Sequence, residues 1–210
     1  MTQKIKELQI ELINSSPNTI KGMWFAARNC YEREGLKKLE LTYTPEKAID
    51  LLKNVYKLSH LSIFEQSFYQ FNINGLSRSC LAQMTRHRIG WSYAVQSQHF
   101  QKHDDFSYKS LEQYYSDQQE MNYFQLMEDI NKFYKDALAH GIPRYIAREV
   151  LPNSTSVNMI VSTNLRALDN FWKLRSGKEN TPEIRKVSRK FYNLVIEKDK
   201  GLEEIIRYPC

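Results

Sequence analysis

The seven glycines of this 210-residue chain, Gly22, Gly35, Gly75, Gly90, Gly141, Gly177 and Gly201, all stand alone. A dinucleotide fold needs a GxGxxG turn so that backbone amides can approach a pyrophosphate, and a phosphate loop needs a GxxxxGK run. Neither occurs, which sets those nucleotide folds aside. Any phosphate this chain binds must be held by side chains.

The pattern of elements points elsewhere. Glu7 to Ile13 alternates as a strand, and Pro17-Asn18 then leads into a helix through Trp24 and Ala27. Thr44-Pro45-Glu46 starts a helix to Leu58 that buries Ile49, Leu52 and Val55, with His60 just beyond its end. Tyr69, Phe71 and Ile73 alternate with Gln70 and Asn72 in a strand that Asn74-Gly75 is expected to end. Leu76 to Arg88 then reads as a helix with Leu76, Cys80, Leu81 and Met84 inward and Gln83, Arg86 and His87 together on the opposite face. Ser97 to Tyr108 is extended or loop. Met121 to His140 forms a long helix expected to pack Phe124, Met127, Ile130, Phe133 and Ala137, and Arg144 to Val150 a short one. Ser154 to Thr163 is a β-branched strand, Asn164 opens a helix to Arg175, and Thr181-Pro182 starts a last helix to about Lys198. Helices mixed with a few strands that need not be parallel predict an α+β fold over residues 1–210, a single domain with a central mixed or antiparallel sheet flanked by helices.

Bulk properties narrow the partners. A net charge of +6 favours anions without singling out nucleic acid, and thirteen Tyr with ten Phe exclude a disordered basic chain. Cys30, Cys80 and Cys210 form no CxxC pair, so neither a disulfide framework nor a metal site is indicated. No stretch approaches the roughly 20 apolar residues that cross a bilayer, and the start lacks a signal peptide. The expectation is a cytoplasmic protein with no membrane partner.

The densest chemistry lies in QMTRHRIGWSYAVQSQHF, Gln83 to Phe100. Arg86, His87 and Arg88 stand in a row, followed by Ser92, Gln96, Ser97, Gln98 and His99. Guanidinium forks match phosphate geometry, and serine and glutamine can fix a ring or a sugar, so a nucleotide suits this mixture. An Arg-His-Arg row at a helix end could instead complement the helix dipole. A basic chain rich in Tyr and Phe could also bind RNA, although no RNP-like aromatic strand or GXXG loop is present.

The motifs resemble those of the flavin-dependent thymidylate synthases. Arg86-His87-Arg88 followed by eight residues and Ser97 is similar to that family's RHR signature. AARNCY at Ala26 to Tyr31, HLSIFEQ at His60 to Gln66, ARxVLP at Ala147 to Pro152, and Asn164 to Arg175 as NARxLxxFxxLR with Leu165 for its alanine resemble further blocks in the same order. The resemblance implies a homotetramer with active sites at subunit interfaces and bound FAD. It implies methylation of dUMP at C5, with methylenetetrahydrofolate as carbon donor and NADPH as reductant, and no nucleic-acid partner. Carried over by position, His60, Ser62, Arg86, His87, Arg88, Asn164, Arg166 and Asn170 are the flavin contacts. Gln83, Arg86, Ser97, Gln98, His99, Arg148 and Arg175 are the dUMP contacts, with Arg175 in the catalytic role of stabilising negative charge on the pyrimidine.

Each assignment has a structural counterpart. Arg148 and Arg166 could pair with Glu65, Glu149 or Asp169, and His60 could cap its helix. The chain departs from the family pattern at Ile63, Ala94, Val95, Tyr145 and the lengthened Gly90-Trp91 loop. At His99 an imidazole, mostly neutral at pH 7, replaces the arginine that grips the phosphate. These changes leave room for a different pyrimidine nucleotide. Pro209-Cys210 looks superficially like the Pro-Cys of the unrelated cysteine-dependent synthase, but a chain terminus is a poor place to preorganise a nucleophile.

Overall fold

The computed structural model describes every residue except Lys6, Glu34, Lys102 and Cys210, so the terminal cysteine lies outside the described residues. The strands are β1 (Gln3–Ile5), β2 (Gln9–Ser15), β3 (Tyr69–Ser77), β4 (Trp91–Val95), β5 (Ser107–Lys109) and β6 (Ser156–Thr163). The helices are α1 (Thr19–Asn29), α2 (Leu36–Thr42), α3 (Pro45–Lys57), α4 (Arg78–Met84), α5 (Asp117–Ala139), α6 (Arg144–Ala147), α7 (Leu165–Arg175) and α8 (Pro182–Lys198). The class is α+β, with a four-stranded sheet in the order β2-β3-β6-β4 flanked by helices and a separate parallel pair β1-β5.

Two compact units are assembled from separate stretches of the chain. The first comprises Met1–Gln9, Ile73–Thr85 and Ala94–Ile160, the second Ile10–Asn72, Arg86–Tyr93 and Val161–Cys210.

In the first unit Phe106, Tyr108 and Met127 form a core with Tyr123, Ile130 and Leu151 packed against it. Gly75 does not end β3. It sits inside the strand at φ +81°, where its N–H donates to Asn158 Oδ1 at 3.1 Å and an added Cβ would lie 2.9 Å from the Ile5 side chain. The backbone therefore bends at a residue with no side chain and continues to Ser77. Ser77 caps α4 by accepting from the Cys80 N–H at 3.0 Å, so the helix begins and ends inside the range the pattern predicts. With α4 ended at Met84, Arg86 and His87 do not share a helical face with Gln83.

Helix α5 opens with a reciprocal Ser116-Gln119 capping box and runs 23 residues. Met127 and Ile130 pack inward as expected, but the buried face is rotated from the expected stripe. Met127, Asn131 and Tyr134 are buried, whereas Phe124 is 41% and Phe133 59% exposed. The buried polar member has its own reason: Asn131 donates to Asp105 Oδ1 at 2.9 Å and accepts from the Asp105 N–H at 3.0 Å.

In the second unit Trp24, Leu39 and Ala48 pack where α1, α2 and α3 meet, and Phe71, Phe171, Trp172 and Phe191 are fully buried. Thr44 caps α3 with Pro45 at its first position. Leu165, Leu168 and Trp172 face the core from α7 as the spacing predicts.

Candidate functional site

Helix α7 begins at a tightly specified junction in the second unit. Asn164 caps it, Oδ1 accepting from the Ala167 N–H at 2.9 Å. The Leu165 N–H donates to Ser67 Oγ at 2.8 Å, and that hydroxyl donates to the Phe64 carbonyl at 2.8 Å. The 3-10 turn Leu61–Glu65 and the start of α7 are thus joined through one buried serine. Gly90, in the loop after the Arg-His-Arg row, adopts φ +75°, and a Cβ there would fall 2.8 Å from Ala167 Cβ and 3.0 Å from Asn164 Nδ2. Two motifs far apart in sequence meet at this point.

Around the junction lies a cavity of about 470 Å³ lined by Leu61, Glu65, Ile89, Gly90, Asn164, Arg166, Ala167, Asp169, Asn170 and Lys173. A second cavity, of about 540 Å³, shares Leu61 and Arg166 with it and extends past His60, Ser62, Val55, Leu58, Cys30 and Tyr31. The flavin contacts implied by resemblance thus divide. Asn164, Arg166 and Asn170 line the first cavity, and His60, Ser62 and Arg166 the second. Arg86 and Arg88 are exposed and line neither of the two.

Arg166 pairs with Glu65, both side chains about half exposed. Such a pair is worth at most about 1 kcal/mol, so an incoming phosphate can replace the carboxylate at small cost. Lys173 donates to the buried Asp169 at 2.7 Å, whose other oxygen accepts from Tyr56 Oη at 2.9 Å. That network is self-satisfied and stiffens one wall.

His87 is 8% exposed and packs edge-on against Phe171 with ring centroids 4.8 Å apart. Its Nε2 accepts from Arg175 Nε at 2.9 Å, which assigns the imidazole proton to Nδ1. Burial, and then the neighbouring Arg175, push the His87 pKa down to about 4, so the ring is neutral at pH 7. The resemblance implies a flavin contact at His87; in the structure the ring is buried against Phe171 and bonded to Arg175. Arg166 and Arg175 stand at opposite ends of α7, nine residues and about 13 Å apart along its axis.

The implied dUMP contacts fall in both units. Arg86 and Arg175 belong to the second; Gln83, Ser97, Gln98, His99 and Arg148 belong to the first. In the first unit Ser97 Oγ accepts from the His99 N–H at 3.1 Å, and exposed His99 stacks on Tyr145 at 5.5 Å. Arg144 Nη1 donates to the Phe100 carbonyl at 2.8 Å and ties this loop to α6. Gln98 is buried, yet its Nε2 has no hydrogen-bond partner among the described residues. An orphaned donor of that kind costs about 1–3 kcal/mol unless a ligand accepts from it.

The sequence reading named neither Arg78 nor His103 as a site residue. Burial, and then the Arg148 guanidinium, pull Arg78 below the usual arginine range. Burial, and then Arg78, hold His103 low, and His103 Nε2 is buried without a partner among the described residues. No carboxylate among the described residues pairs with Arg78. Arg148 has Glu149 at 3.6 Å, so the cation without a carboxylate here is Arg78, and it offers a place for an anion. One signal was available: an arginine in the first turn of a helix opposes its dipole, which only shows once Ser77 is read as the cap.

Against known proteins, the family described as thymidylate synthase complementing protein matches residues 11–199. The flavin-dependent thymidylate synthase of Sulfurisphaera tokodaii is 30% identical over 96% of this chain and 77% of its own length. That of Geobacter sulfurreducens is 29% identical over 90% and 82%. A solved structure of a UMP/dUMP methylase, PolB from Streptomyces cacaoi bound with 5-Br dUMP, has a TM-score of 0.82 at 20% identity and covers 97% of this chain and 96% of that one. It shares the fold. The match across residues 11–199, together with a relative 30% identical over nearly the whole chain, establishes that the chain belongs to the flavin-dependent thymidylate synthase family.

Proposed function

We propose that the chain is an FAD-dependent methyltransferase that converts dUMP to dTMP, taking carbon from methylenetetrahydrofolate and reducing equivalents from NADPH, as a homotetramer in the cytoplasm. The observation that carries this reading is the junction where the loop after Arg86-His87-Arg88 presses Gly90 onto Asn164, beside a cavity lined by Arg166 and Asn170. The residues fit a flavin dinucleotide. Leu61, Ile89 and Ala167 offer apolar surface to a flat ring, Asn164 and Asn170 offer amides to polar edges, and Arg166 offers a cation to a pyrophosphate. Ser62 and His60 border the adjoining cavity.

Bound FAD, once reduced, supplies the hydride. The protein's part is binding, orientation and charge. Arg78 and Arg148 are suited to the nucleotide phosphate, and Gln98 Nε2 to an acceptor on the substrate. Arg175, by resemblance, faces the pyrimidine, where a fixed cation stabilises charge developing on the ring. His87, neutral and buried, holds that guanidinium without competing for a proton.

The test is direct. Purified protein should be yellow and, given NADPH, methylenetetrahydrofolate and dUMP or UMP, should yield a nucleotide heavier by one methyl group. A colourless preparation that carries RNA and leaves both nucleotides unchanged would overturn the reading in favour of an RNA-binding module.

A further inference from the structure

Asn180 lies in the turn between α7 and α8, outside every motif described above. Its Oδ1 accepts from Arg175 Nη1 at 3.3 Å, while Arg175 Nε is held by His87 at 2.9 Å. Its Nδ2 donates to the Leu174 carbonyl at 3.1 Å, to the Gly177 carbonyl at 3.4 Å and to Glu179 Oε1 at 2.9 Å. The Asn180 N–H also donates to the Gly177 carbonyl at 3.1 Å, closing the turn. One amide therefore does two things: its nitrogen clasps the end of α7, and its oxygen takes hold of the last side chain of that helix.

A guanidinium is planar, and a single anchor leaves the plane free to swing about the anchored N–H. Anchors at different nitrogens, among them His87 on Nε and Asn180 on Nη1, restrain both place and plane. An amide also suits the task better than a carboxylate, which would bind the cation more tightly but neutralise the charge that Arg175 presents. We propose that Asn180 is a positioning residue for Arg175, setting the orientation in which the guanidinium meets the pyrimidine. This rests on the reading of Arg175 given above.

The first test uses the ligand-free protein. The Arg175 Nη1 hydrogens should exchange slowly with solvent in the wild type. In Asn180→Ala their exchange should accelerate by about tenfold or more. Asn180→Asp keeps the acceptor and loses all three Nδ2 donations, so it separates the two roles: slow exchange retained there supports positioning. Fast exchange in a folded Asn180→Asp, or unchanged exchange in Asn180→Ala, overturns it. If the alanine variant does not fold, the aspartate variant alone decides.

The second test is kinetic. A misplaced charge-stabilising group lowers turnover by about 10- to 100-fold, with a smaller change in KM. Asn180→Ala should lower kcat in the wild type and have no further effect in an Arg175→Lys background, because the amide acts through the arginine. Equal losses in both backgrounds overturn the proposal. A wild type that methylates neither dUMP nor UMP sinks the enzymatic reading instead, and leaves the exchange experiment to decide whether Asn180 holds Arg175.

Discussion

Acidification should destabilise this protein through His87 before it reaches the carboxylate range. The buried ring titrates near pH 4 in the folded chain and near 6.5 when unfolded. Between those values the unfolded state binds the extra proton, so the folded state loses stability as pH falls below about 6.5, and the loss levels off below about 4. At pH 5 the ring is almost fully protonated in the unfolded chain and about one-tenth protonated in the folded one, which amounts to about 2 kcal/mol relative to pH 7. The full shift is worth about 3 kcal/mol. Urea unfolding of wild type and His87→Asn at pH 7, 6 and 5 isolates the contribution. The variant loses packing at every pH but lacks the titration, so its curve should fall by about 2 kcal/mol less than the wild type's between pH 7 and 5. Parallel curves would show that His87 is not held neutral by its surroundings, and the argument from its bond to Arg175 would fail with it.

Three further outcomes follow from single contacts. Gly90→Ala should cost about 2–3 kcal/mol in urea unfolding, because φ is +75° and the new Cβ meets Ala167, whereas Gly141→Ala, with φ +81° but open space around it, should cost about 1 kcal/mol. Arg78→Ala should weaken nucleotide monophosphate binding by calorimetry about 10- to 100-fold while leaving flavin retention and the melting temperature unchanged or slightly improved, since it removes a cation with no carboxylate partner among the described residues. Tyr69→Phe should cost about 2–3 kcal/mol, because the fully buried hydroxyl donates to Asp199 at 2.9 Å and its loss strands a buried carboxylate oxygen.

Local signals made much of the fold legible. Thr44 before Pro45 and Asn164 before Leu165 mark helix starts because the capping chemistry is written in adjacent residues, and Pro182 marks another because proline suits the first helical position. Periodicity likewise placed Arg166 and Asn170 one turn apart on the exposed side of α7. What stayed hidden depends on partners distant in sequence. The inward face of α5 includes Asn131, which is buried because Asp105 satisfies it, and an apolar-stripe reading selects Phe124 and Phe133 instead. Trp91–Val95 pairs as an edge strand of the sheet, although the sequence reading gave that stretch no element beyond the Gly90-Trp91 loop. His87 looks like any cation in a basic row until Phe171 and Arg175 are seen to enclose it. The family resemblance implied roles for Asn164, Arg166 and Arg175, but it said nothing of the groups that hold them.

The hydroxyl of Ser67 gives the candidate cavity a mechanical character. By accepting from the first amide of α7 and donating to the Phe64 carbonyl, it welds the two walls that bear Arg166 and Glu65 into a single body. Parting the walls at this seam would break both bonds, at about 1 kcal/mol each, so opening there is disfavoured and the gap between α7 and the 3-10 turn stays near its resting width.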